Sequence, residues 1–163
     1  MVKSDILRLI AYNHWANERI LATCEQLSAD EFIRTVTPNP GWTSLRGILV
    51  HALDAEYGWR SVLQSADASE ILDEAGFADV SALKARWNVE HSAWLAYLAS
   101  VTDDSLGKRH DDSNALKVWQ VIFHVINHGT QHRSEAAAIL TGHGRSPGEL
   151  DFDTFLKEHP EYI

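Results

Sequence analysis

The stretch Val121-Ile122-Phe123-His124-Val125-Ile126-Asn127-His128-Gly129-Thr130-Gln131-His132-Arg133, continued to Leu140, decides the fold reading. At about 100° per residue from Val121, the residues Val121, Ile122, Val125, Ile126, Ala136, Ile139 and Leu140 fall within an arc of about 140°, which is one apolar stripe of a long helix. His132 lies inside that stripe at about 20°, His128 at its edge at about −20°, and His124 well outside at about −60°. Residues i and i+4 stand one turn apart on one side of a helix. His128 and His132 are therefore the inward-looking pair, and His124 is a flank. Any one of these histidines, taken alone, reads as a surface residue or a hydrogen-bonded core residue, the commoner case. An i, i+4 pair at the rim of an apolar face reads instead as metal ligands, because two imidazoles so placed can share one ion such as zinc or nickel.

Working outward, the same periodicity predicts three further long helices. The first runs from about Ser4, read as its N-cap, to Leu27. The second runs from Thr43 or Ser44 to about Gln64, and the third from about Ser81 to Val101. The histidine-bearing helix spans Val118 to about Thr141 and is closed by Gly142 and Gly144. Between them, Ser28-Ala29-Asp30-Glu31 is a capping-box signal for a short extra turn. A loop carries Pro38 and Pro40, and a small, polar stretch up to Gly76 reads as a mobile connection. Thr102-Asp103-Asp104-Ser105 breaks the helical pattern, and residues 106–118 read as a turn or short hairpin. Neither repeats nor a second domain are evident, so the expectation is one domain over residues 1–163. Its fold class is all-α, a four-helix bundle with one or two crossover connections.

Two ligands on one helix need a third from a neighbour. His51 follows Leu45-Arg46-Gly47-Ile48-Leu49-Val50 and sits about 80° from the centre of its helix's apolar face, a rim position like that of His128. His91, at about the same angle on the third long helix, is the rival and ranks second. Three imidazoles leave coordination open for water or substrate, the layout of catalytic rather than structural zinc.

Four pieces of the chain, in order, carry a family resemblance. They are Tyr12-Asn13-His14-Trp15-Ala16-Asn17-Glu18-Arg19, Gly41-Trp42-Thr43-Ser44-Leu45-Arg46-Gly47 leading to His51, Asn127-His128-Gly129-Thr130-Gln131-His132-Arg133, and Gly144-Arg145-Ser146-Pro147-Gly148-Glu149-Leu150-Asp151. Together they resemble the DinB family, the DinB/YfiT-like metalloenzymes, over nearly the whole chain. The resemblance implies a divalent metal, zinc or nickel, held by His51, His128 and His132. It also implies homodimers, and one of two chemistries: transfer using a low-molecular-weight thiol, or metal-dependent hydrolysis. A non-catalytic metal-binding module is the rival from another class. The chain departs from the family's HHRGQ-like motif, with Gln131 before His132 and Ser134-Glu135 in place of Gly-Gln.

Composition narrows the function further. A formal net charge of −9 argues against a nucleic-acid surface, which needs clustered Lys and Arg. One cysteine, Cys24, excludes an internal disulfide and suits a reducing compartment; its place on the first helix's apolar face makes it core. No basic-then-apolar leader opens the sequence and no apolar run is long enough to span a bilayer, so the expectation is a cytoplasmic protein without a membrane partner. Gly-rich phosphate loops, His-Glu-x-x-His and Glu-x-x-His are absent, which sets aside nucleotide binding, zincin proteolysis and ferritin-like dinuclear sites. The expected partner is a small-molecule substrate.

Some core-facing residues are polar. Asn13 and Asn17 lie on the apolar stripe of the first helix, and Glu90 is central on that of the third. Buried polar groups cost free energy unless paired. They belong to a hydrogen-bonded core network or a subunit interface, or they border the metal pocket and orient its ligands. Asp54, one turn after His51, is a candidate for holding that imidazole's tautomer. Six tryptophans read mainly as core, with one or two placed to line a substrate pocket.

Overall fold

The computed structural model describes residues 1–35, 42–110 and 116–163; the predicted loop with Pro38 and Pro40, Gly41 of the second motif and part of the 106–118 turn lie outside them. Among the described residues there are seven α-helices: α1 Lys3–Cys24, α2 Ala29–Ile33, α3 Leu45–Leu63, α4 Val80–Ser100, α5 Asp103–Leu106, α6 Val118–Gly142 and α7 Phe152–Glu158. Helix α1 packs against α4 and α6, and α3 packs against the same two. The four long helices thus close a ring in the order α1, α4, α3, α6. Helices α1 and α3, consecutive in the chain, stand diagonally, as do α4 and α6. The two intervening segments, residues 25–44 and 101–117, are therefore the crossover connections of a four-helix bundle.

Capping chemistry explains where the helices begin. The Ser28 hydroxyl accepts the Glu31 N–H at 3.3 Å while Glu31 accepts the Ser28 N–H at 2.8 Å, the capping box read from sequence. Ser44 accepts the Gly47 N–H at 2.9 Å, and Asp79 accepts the Ala82 N–H at 2.8 Å. Ser4, however, is not a cap. Helix α1 starts one residue earlier, and Asp5 reaches back to accept the Val2 N–H at 3.0 Å. It also stops at Cys24 rather than Leu27, because Ser28 takes up the extended backbone that opens α2. Thr102 and Ser105 do more than break a helix, since they form a second capping box that starts α5. At its far end α6 closes on Gly144, whose φ of +74° suits glycine, as the Arg145 N–H returns to the Leu140 carbonyl at 2.9 Å.

Two apolar clusters fill the bundle. One gathers Ile6, Ile10, Trp94, Leu98, Val121, Ile122 and Val125; the other gathers Ile20, Leu49, Leu53, Leu83, Trp87, Ala136 and Leu140. Between them the buried residues are polar: Asn13 and Asn17 on α1, Glu56 on α3, Glu90 on α4, and His132 and Arg133 on α6. Helix α7, which the sequence reading left as tail, is capped by Asp151 and buries Phe155. Its Glu158 accepts hydrogen bonds from Arg19 and Trp15 of α1, each at 3.1 Å. No helix among the described residues is long and apolar enough to cross a membrane.

Candidate metal centre

Helix α6 presents His128 and His132 one turn apart, and α3 brings His51 opposite them. The His51 and His128 Nε2 atoms lie 3.1 Å apart, and those of His132 and His128 3.2 Å apart. A metal ion about 2.0–2.1 Å from each nitrogen in tetrahedral geometry sets neighbouring nitrogens about 3.3 Å apart, so the spacing matches the corners of such a site. An Nε2–H on His128 could serve only one of its two neighbours. Among the described residues these three form the group able to hold an ion, with one ligand atom from each all within 4.8 Å of one another.

The three rings are held by different means. His132 is 3% exposed, and its Nδ1 lies 2.8 Å from the Glu135 carboxylate, one turn along α6. His51 is stacked by the Trp42 indole at a centroid distance of 3.5 Å and an interplanar angle of 20°, and Trp42 also stands edge-on to His132. The His128 Nδ1 is buried with no hydrogen-bond partner among the described residues. Burial, followed by the adjacent imidazoles of His132, His51 and His124, pulls the His128 pKa down to about 4. His51 is lowered too, by burial and then by His132, with Asp54 and Glu135 opposing. The net effect at both rings favours the neutral, metal-competent imidazole.

The remaining candidates sort clearly. His91 is stacked on His14 with centroids 3.7 Å apart, so α4 directs it to α1 and away from the cluster. His124 is exposed and edge-on to Trp59, flanking His128 with ring centroids 5.8 Å apart. Asp54 does not serve as the tautomer anchor proposed for it: its carboxylate accepts the Leu72 N–H at 2.8 Å and pins the α3–α4 connection. Glu90 is paired with Arg60 and Arg86, an ion-pair network rather than part of the pocket. Cys24 is fully buried, and burial pushes its thiol up to about 12, which leaves no thiolate for chemistry.

Asn13 and Asn17 prove to be bridges. Each donates to the Glu56 carboxylate, at 2.8 and 3.0 Å, and each accepts from the Arg133 guanidinium, at 2.6 and 2.8 Å. Burial drives the Glu56 pKa up, and the two asparagine hydrogen bonds pull against it. Two buried opposite charges are thus joined through two amides, directly beside the ligand turn of α6. The sequence reading found the asparagines from their place on an apolar stripe but missed Glu56 and Arg133. The available signal was that two buried amides need a donor and an acceptor on facing helices. Glu135 was also missed as a site residue, although its i+3 spacing from His132 could have marked it.

Beside His51 opens a cavity of about 340 Å³, walled by Trp42, Val50, Asp54, Leu72, Asp73 and Glu74 among others. Trp42 is the tryptophan expected at a pocket; Trp87 and Trp94 are core. The chain is 23% identical over 165 residues to Protein DinB of Bacillus subtilis (strain 168), covering 91% of this chain and 92% of that protein. The profile of the DinB family matches residues 1–161, and the chain therefore belongs to the DinB family.

Proposed function

We propose that His51, His128 and His132 hold one divalent ion, zinc or nickel, and that the protein is a metalloenzyme carrying out thiol-dependent transfer on a small molecule. The convergence of the three imidazoles, with the His128 Nε2 at tetrahedral-ligand spacing from both of the others, carries the metal reading. With no fourth protein ligand in the group among the described residues, one side of the ion stays open, which favours a catalytic over a purely structural role. An ion so held supplies Lewis acidity, making the anion of a water or thiol available at neutral pH. The protein's own contribution is to keep the His51 and His128 imidazoles neutral by burial, to fix the rings of His51 and His132 with Trp42 and Glu135, and to offer a small cavity beside His51 for the second reactant. Family membership supports the choice of a thiol, and the cavity's size supports a small substrate.

Metal analysis of purified variants tests the ligand set. His51→Ala, His128→Ala and His132→Ala should each lose most of the metal, whereas His91→Ala and His124→Ala should keep it. Unchanged metal in all five variants would remove the site. In the cobalt-substituted protein, adding 2-mercaptoethanol should shift the visible absorption while ethanol should not. An absence of any thiol-specific shift would end the transfer reading and leave the ion as a staple or hydrolytic centre.

A further inference from the structure

We infer that Glu135 is the positioning residue of this centre, setting His132 in its ligating tautomer before any ion arrives. The inference rests on the reading of the three histidines as ligands. A carboxylate only accepts hydrogen bonds. With Glu135 Oε2 at 2.8 Å from the His132 Nδ1, the carboxylate calls for a proton on Nδ1, and in the neutral imidazole that leaves Nε2 as a lone pair. That lone pair faces the Nε2 of His128 at 3.2 Å. The contrast within the cluster is what assigns the role. His51 is held by ring stacking, which fixes a plane but not a proton, and the His128 Nδ1 has no partner among the described residues. Of the three, His132 is the ring whose proton a neighbouring carboxylate places.

The carboxylate is also free to do this. Among the described residues, the one ion-pair partner of Glu135 is His132 itself, so no Lys or Arg draws it away. Its side chain is 33% exposed against 4% for that of His132, which places it at the rim with its hydrogen bond pointing inward. An anion there offsets part of the charge of a bound dication and increases the electron density at Nε2, the usual action of a carboxylate behind a ligating histidine. An amide in its place would lose the charge and, being donor as well as acceptor, would no longer dictate where the proton sits.

The test uses wild type, Glu135→Gln and Glu135→Ala. Long-range 1H–15N spectra of chelator-treated protein at pH 7.5 report the His132 tautomer, and zinc titration against a competing chelator reports affinity. Wild type should show His132 protonated at Nδ1, and Glu135→Gln and Glu135→Ala should each show a mixture of tautomers. Zinc affinity should fall about 10–100-fold in Glu135→Ala and by less in Glu135→Gln. Thermal melts of the metal-free variants should match wild type, since the contact is local to α6. An unchanged tautomer and unchanged zinc affinity in Glu135→Ala would overturn the positioning role while leaving the metal site standing. A wild-type protein that binds no zinc or nickel would instead remove the ligand reading, and this inference with it.

Discussion

Gly129 shows how closely the polar layer and the ligand turn are fitted. It lies between His128 and His132 on α6, and a Cβ placed there would meet the Arg133 Nη1 at 2.8 Å and the Asn13 Oδ1 at 3.0 Å. Two effects compete in Gly129→Ala. Helix propensity would gain up to about 1 kcal/mol. Against it, Arg133 is buried and cannot swing aside, and hydrogen bonds to a charged group are worth about 1.5–3 kcal/mol each. The bonds win, so Gly129→Ala should destabilise the protein by about 1–2 kcal/mol in urea unfolding; a stabilised variant would show that the network yields freely. At this scale the sequence was partly legible. Periodicity singled out His128, His132 and His51, which the fold brings together, because a side chain's direction follows from its angle on a helix. It did not by itself single out Glu56, Arg133 or Glu135, whose roles depend on which atom of a long, flexible side chain reaches which neighbour.

The elements matter to the site through where they start. Helix α3 delivers His51 two turns after its first residue, and its register is set by Ser44, whose hydroxyl accepts the Gly47 N–H and donates to Glu74 at 3.1 Å. Loss of an N-cap hydroxyl costs about 0.5–2 kcal/mol, whereas glycine at the same position costs only a few tenths. Ser44→Ala should therefore lower urea-unfolding stability by about 1 kcal/mol, with Ser44→Gly closer to wild type. Equal losses in the two would assign the effect to the Glu74 contact rather than to the cap. Element boundaries were legible where a side chain does the capping, as at Ser28 and Ser44, whereas the box of Thr102 and Ser105 read only as a break. Helix α7 was not, because its seven residues are too short for a period to emerge. Packing on α1 through Phe155, Arg19 and Trp15 holds it in place.

For the whole molecule, helix count and class were readable from apolar period, but the ring order was not, since the stripes say that each helix is buried and not by which neighbour. That order is what separates the two half-buried histidine groups. His51, His128 and His132 meet between α3 and α6, while His14 and His91 meet between α1 and α4. The second pair gives the fold an acid sensitivity independent of any metal. Burial, then His14, lowers the His91 pKa to about 4, with Glu18 opposing, and burial lowers that of His14. An unfolded histidine titrates at about 6.5. The folded value is the lower one, so between these two pH values the unfolded chain binds more protons, and stability rises with pH across that window. Stability from this source is thus complete above about pH 6.5 and declines as pH falls toward 4. Replacing His91 with phenylalanine keeps an aromatic ring against His14 and removes the titration. Urea unfolding of chelator-treated protein at pH 7.5 and pH 4.5 should show a smaller acid-induced loss in His91→Phe than in wild type. The contribution of His128 is common to both proteins and cancels in that comparison. An identical acid-induced loss in the two would mean that the imidazoles between α1 and α4 titrate as they do in the unfolded chain, and that the acid response arises elsewhere in the bundle.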